Sequence, residues 1–120
     1  MPGQIVRVDF RNALPGTGEF NKVRPAIVVG APPIFGGELP FELVVPLTSV
    51  ETLAFSGASV PVPPAPENGA LALSFAISWN VQAVPRARIR ETKSRVTDEQ
   101  LAEIRRQVGA CIGLTSAEAG

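Results

Sequence analysis

The stretch KVRPAIVVG, residues 22–30, sets an arginine directly before a proline at the mouth of an apolar run. Ala26, Ile27, Val28 and Val29 are apolar at both parities, which is the pattern of a central strand buried on both faces. Pro25 restricts Arg24 to extended backbone and brings no ladder donor, so Arg24 stands rigidly at the strand mouth. The residues alone leave two accounts of it open. Either the side chain snorkels into water where the strand ends, or the chain holds a guanidinium in a fixed place.

Working outward, QIVRVDF (4–10) reads as a first strand with one wet face, and RNALPGTGEFNK (11–22) as a long loop punctuated by Pro15, Gly16 and Gly18. APPIFGGELP (31–40) is a turn region, and FELVVPLTS (41–49) a second apolar strand ending in two hydroxyls, Thr48 and Ser49. ASVPVPP (58–64) alternates, but Pro61, Pro63 and Pro64 confine it to a sheet edge or a strand end. PENG (66–69) turns the chain into a further strand, ALALSFAIS (70–78), and VQAVPRARIR (81–90) is extended but broken at Pro85.

Helical signals are confined to the C-terminal part of the chain. Thr97 and Gln100 fit a capping box, with Asp98 and Glu99 where the helix dipole favours acids. Leu101, Ile104, Val108 and Ile112 then form one apolar face, and Cys111 reads as a small buried hydrophobe. These elements predict a single mostly β domain over residues 1–114, a barrel or sandwich with a C-terminal helix, followed by a frayed tail at 115–120.

A chain of 120 residues can bury roughly 65–70% of its unfolded surface without a metal or a disulfide. Cys111, the lone cysteine, excludes an internal disulfide and a cysteine-based zinc site. The absence of histidine removes imidazole acid–base chemistry, serine triads and most zinc sites. Carboxylates are scattered apart from Asp98 and Glu99, so no metal site or cofactor is expected. The N-terminal MPGQIVRVDF lacks signal-peptide design and nothing is apolar enough to cross a membrane, which predicts a cytoplasmic protein. The net charge is zero, yet residues 25–85 hold no basic group and 86–106 hold seven, so local basic patches fit on a neutral molecule. Trp79 and the six phenylalanines sit without alternating basic residues, which assigns most of them to the core rather than to base stacking.

Five stretches occur in one order: GQIVRVDF (3–10), Glu19 within GEFNKVRPAIVV (18–29), VVPLTS (44–49), Ser74 within LSFAISWNVQAVPRARI (73–89), and a terminal helix ending IGL (112–114). In this the chain resembles the MazF/PemK (Kid) toxins of bacterial toxin–antitoxin modules, and E-x-x-x-x-R-P paired with a downstream P-L-T-S is the specific part. The resemblance implies an SH3-like barrel of the MazF/CcdB type and a homodimer. It also implies a metal-independent, sequence-specific endoribonuclease that cleaves single-stranded RNA and is held inactive by a cognate antitoxin. Matched position by position, Arg24 and Thr48 correspond to the catalytic pair. Glu19, Lys22, Ser49, Ser74, Asn80 and Arg86 are expected to contact RNA. Two departures stand out: there is no histidine for the catalytic set assigned to the plasmid-borne branch, and Trp79 and Asn80 fill places where relatives commonly carry an acidic or polar residue and Gln.

The chemistry makes sense of these residue types. RNA carries its own nucleophile, the 2′-OH, so cleavage to a 2′,3′-cyclic phosphate and a 5′-OH needs alignment and charge stabilisation rather than an activated water. A guanidinium is the planar multi-donor group that fits phosphate oxygens, and a threonine hydroxyl adds a donor to the same oxygens. Read singly, each residue also has an ordinary account: Arg24 snorkelling, Thr48 and Ser49 capping their own turn. Two other functions compete. One is a non-catalytic toxin like the CcdB family, which binds DNA gyrase through a tail containing Trp; here the tail GLTSAEAG has no aromatic residue. The other is a degenerate relative that binds RNA or an antitoxin without cutting.

Overall fold

The computed structural model describes residues 1–10, 23–70 and 72–114. Seven strands follow one another in the chain: β1 (Gln4–Asp9), β2 (Val23–Val28), β3 (Phe41–Thr48), β4 (Val60–Val62), β5 (Ser74–Ala76), β6 (Gln82–Pro85) and β7 (Ile89–Arg95), with α1 (Asp98–Cys111) last. They form one antiparallel sheet in the order β4-β5-β3-β2-β1-β7, with β6 also pairing β3. β3, eight residues long, is where the sheet forks. Its first half pairs with β6, from Phe41↔Pro85 to Val44↔Gln82, and its end pairs with β5 through Leu47↔Ala76 and Thr48↔Phe75. The apolar run after Arg24 is central as predicted, between β1 and β3, and the proline-rich β4 takes one edge.

The double apolar parity of β2 has a direct counterpart in the packing. Ile27 and Val29 join Ile5, Val45, Leu47, Val60 and Val62 in one core, whereas Ala26 and Val28 join Val6, Val8, Val44, Ile77 and Val84 in another. Alternation along the strands puts these two cores on opposite faces of the sheet. β1 is open to solvent at exposed Arg7 and partly so at half-buried Gln4 and Asp9. Helix α1 closes the first core with Leu101 and Ile104, and Val108 packs against it.

The predicted capping box is present: the Thr97 hydroxyl accepts from Gln100 N–H at 3.0 Å while Gln100 Oε1 accepts from Thr97 N–H at 2.9 Å. The far end of the helix departs from expectation. Ile112 is 73% exposed and Cys111 is exposed, because Gly113 at φ 95° ends the helix and Leu114 N–H returns to Gly109 O. The apolar face stops at Val108, since α1 packs chiefly on β4 and on the 3-10 turn Ser78–Asn80, while Ile112 among the described residues is left exposed.

Buried Gln107 was not foreseen. It accepts from the fully buried Ser78 hydroxyl at 2.7 Å and donates to Ser59 O at 2.9 Å, tying the helix to two loops. Gln107→Leu is expected to cost about 2–3 kcal/mol, since it strands a buried hydroxyl and a carbonyl that the apolar side chain cannot satisfy. Urea titration of both proteins measures it; an unchanged midpoint refutes the role given to this network. One turn away, Arg106 holds the Glu103 carboxyl below its ordinary pKa through a two-pronged hydrogen bond of 2.6 and 2.8 Å.

Two strand boundaries also differ from the sequence reading. The strand expected over 70–78 contracts to Ser74–Ala76, because Ser78–Asn80 winds into the 3-10 turn on which α1 rests. Beyond Pro85 the chain makes a second 3-10 turn, Arg86–Arg88, and then enters β7, which runs five residues past the predicted Arg90. Its RETKSR segment hides the strand signal because β7 is a sheet edge, where charge blunts unwanted pairing. The aromatic residues divide. Phe10 is 3% exposed and in the core, whereas Phe55 is 57% exposed and meets half-buried Trp79 edge-on at 5.9 Å.

Candidate functional site

The antiparallel register of β2 and β3 runs Ala26↔Pro46, Ile27↔Val45, Val28↔Val44. Continued by two residues within both strands, it brings Arg24 level with Thr48. Level residues on neighbouring strands direct their side chains to the same face with Cβ atoms about 4.5–5.5 Å apart. Arg24 is also the partner of Val8 on the other side, so it belongs to the face of the second core. It is half-buried, and Thr48 is 3% exposed. Thr48 Oγ1 accepts from Val50 N–H at 3.1 Å, a turn-closing bond that fixes the hydroxyl at the strand end. The turn-capping account and the site account of Thr48 are thus compatible.

Ser49 is exposed, immediately beyond β3. Ser74 opens β5, and one further step of the β3–β5 register sets it level with Ser49. Ser74 lines a cavity of about 240 Å³ together with Arg7, Pro25, Leu47, Asn68 and Thr92. That cavity lies on the face of Leu47, so strand alternation separates it from the Arg24–Thr48 face while keeping both at one end of the sheet.

Asn80 closes the 3-10 turn, where its carbonyl and Oδ1 both accept from Gln82 Nε2 at 3.3 Å. Gln82 pairs with Val44, four residues and so about 13 Å along β3 from Thr48. Arg86 is farther still. Its Nη2 donates to Gly37 O at 2.8 Å and its Nε lies 3.6 Å from Glu42 Oε2, beside the start of β3. The length of β3 sets it about 23 Å from Thr48. Within one chain, then, the continued register sets Arg24 level with Thr48, Ser74 opens the strand that pairs with the end of β3, Asn80 precedes the Gln82 that pairs with Val44, and Arg86 sits beside the start of β3. Glu19 and Lys22 lie outside the described residues.

The sequence reading passed over a basic cluster. Arg7, Arg88 and Arg90, with Asp9, Val23 and Ala87, line a cavity of about 410 Å³. The surplus of basic residues after Pro85 was visible, but that Arg7 lies opposite Arg90 is a fact of the β1–β7 register. Among the described residues no three of His, Cys, Asp and Glu come together as a metal-binding group, and no helix is long and apolar enough to cross a membrane.

The profile of a family described as PemK-like, MazF-like toxin of type II toxin–antitoxin system matches residues 1–112. No curated protein sequence matches. Among solved structures, the chain is similar to MazF from Deinococcus radiodurans, with a TM-score of 0.72 and 23% identity over 94% of this chain and 96% of that one. It is also similar to an endoribonuclease in complex with its cognate antitoxin from a mycobacterial species, with a TM-score of 0.71 and 15% identity over 95% of each chain. A third similar structure is the Mycobacterium tuberculosis toxin MazF-mt6, with a TM-score of 0.64 and 18% identity over 89% of this chain and 94% of that one. At these identities the solved structures speak for the fold: a mostly antiparallel sheet with a C-terminal helix, of the MazF type.

Proposed function

Since the chain belongs to the PemK-like, MazF-like toxin family of type II toxin–antitoxin systems, we propose that it is a metal-independent, sequence-specific endoribonuclease acting on single-stranded RNA. The observation that supports this reading is the β2–β3 register from Val28↔Val44 to Ala26↔Pro46, which continued by two residues sets Arg24 level with Thr48 at the ends of two adjacent central strands. A guanidinium and a hydroxyl on one face can grip the same phosphate. A rigid pair of neighbouring strands supplies the positioning that in-line attack by the 2′-OH requires.

In this mechanism the 2′-OH gives up its proton and its oxygen bonds to phosphorus while the bond from phosphorus to the 5′-oxygen breaks; the 5′-oxygen takes up one proton, so none is gained or lost overall, and the products are a 2′,3′-cyclic phosphate and a free 5′-OH. Arg24 stabilises the crowded dianionic phosphorane through its fork of N–H donors, and Thr48 directs its O–H at the same oxygens. An arginine side chain keeps its charge through the physiological range, which suits it to charge stabilisation more than to proton abstraction. Ser49 and Ser74 contact the flanking nucleotides.

The partner is a cognate antitoxin, as in the mycobacterial endoribonuclease–antitoxin complex and in the MazE–MazF structures from D. radiodurans. A disordered acidic segment that folds on binding, over the groove that receives RNA, suits both the basic cluster and a reversible block. The toxin acts as a homodimer. Incubation of the purified chain with a long unstructured RNA in excess EDTA tests the reading. Discrete fragments at a recurring short sequence are expected; intact RNA under EDTA that is cut only on adding magnesium would refute metal independence.

A further inference from the structure

Thr48 pairs with Phe75 across β3 and β5, and Phe75 pairs with Pro61 across β5 and β4. Directly paired residues of antiparallel strands point to one face, with Cβ atoms about 4.5–5.5 Å apart. Pro61, Phe75 and Thr48 therefore form one row across three strands, and the continued β2–β3 register adds Arg24 to it. Exposure falls along the row towards the site: Pro61 is exposed, Phe75 half-buried and Thr48 buried. A single half-exposed phenylalanine is ordinary on a protein surface. Phe75 is set apart by its place. Among the described residues it belongs to neither apolar core, whereas its neighbour Ala76 joins the first core from the other face. The ring beside the Thr48 hydroxyl is thus not committed to the packing of either core.

In RNA each base hangs one sugar away from its phosphate. With the scissile phosphate on Arg24 and Thr48, a flanking base reaches the next strand, about 4.8 Å away, and on the β5 side that place is the Phe75 ring. An aromatic face accepts any base by stacking, because every base has a π-face. We propose that Phe75 is the stacking platform for a nucleobase next to the scissile phosphate, with Pro61 extending its apolar floor. The proposal rests on the ribonuclease reading above. An apolar side chain of an antitoxin could also meet the ring. The row, however, runs from two rings to the hydroxyl and guanidinium assigned to the phosphate, which favours a ligand that carries base and phosphate together.

The test uses a non-cleavable 2′-O-methyl RNA spanning the site that the wild type cuts. 2-Aminopurine placed on one side of the scissile phosphate should lose fluorescence on binding, because stacking quenches it. Unchanged emission on both sides overturns the proposal and needs no variant to fold. Loss of one base–aromatic stack weakens single-strand binding by about 5- to 150-fold, so Phe75→Ala should bind that much more weakly. Phe75→Leu fills the place without a π-face and should lose at least ~5-fold, while Phe75→Trp should bind normally. An abasic nucleotide at the quenched position should cost the wild type the same factor and cost Phe75→Leu little, a coupling that a merely structural residue does not show. If the wild type neither binds nor cuts RNA, the ribonuclease reading falls and the platform with it. If the wild type cuts RNA while Phe75→Leu binds it as tightly, or the abasic nucleotide costs both proteins equally, the platform alone is overturned. It is equally overturned if Phe75→Leu holds RNA normally and loses only the antitoxin.

Discussion

Arg24→Ala is expected to lower RNA cleavage at least about 100-fold, the loss that follows when one preorganised donor to a developing oxyanion is removed. The substitution sits at a strand mouth, where Arg24 is half-buried and outside both apolar cores, so a folded protein is expected. Arg24→Lys keeps a point charge but loses the planar fork, and should recover only part of the rate. Thr48→Ala should cost a similar factor and in addition about 1 kcal/mol of stability, because the Val50 N–H loses its acceptor. Thr48→Ser keeps the hydroxyl and with it both roles, so it should retain most of the activity and the bond to Val50 N–H. Single-turnover cleavage, read beside thermal melts, decides the matter. Folded alanine variants cutting at the wild-type rate would place the chemistry elsewhere.

A single 2′-deoxynucleotide on the 5′ side of the scissile phosphate should abolish cleavage altogether. The nucleophile is then missing from the substrate, and no side chain can replace it. Binding should change little, since the phosphate contact assigned to Arg24 is shared by RNA and DNA. The products of the unmodified RNA should carry a 2′,3′-cyclic phosphate, or the 3′-phosphate it hydrolyses to, and a free 5′-OH. Mass spectrometry of the fragments distinguishes the mechanisms. A 5′-phosphate end means that water attacked, and the in-line 2′-OH mechanism would then be abandoned.

These two experiments probe different layers of what the chain encodes. Local chemistry was legible from the residues themselves. The double apolar parity after Pro25 marked β2 as central, Pro61 marked β4 as an edge, and Thr97 with Gln100 marked the helix start, because each signal depends on a few adjacent residues. Arg24 and Thr48 were singled out by motif, and the register of two neighbouring strands, continued two residues past Ala26↔Pro46, is what would set them level.

What escaped the sequence depends on contacts between distant segments. RETKSR does not look like a strand because an edge strand pairs on one side and carries its charge into water. Gln107 does not look buried because its partners, Ser59 and Ser78, reach it only once α1 has docked. Ile112 looks buried because helical periodicity continues past the point where the sheet beneath it ends. The length of β3 separates Arg86, beside the strand's start, from Thr48 at its end, although the sequence reading assigned both to the RNA. The pairing of Arg7 with Arg90 joins residues from opposite ends of the chain. Periodicity and propensity carry information over a turn or a strand; the register between segments is set by the packing of whole faces, and it exists only in the folded chain.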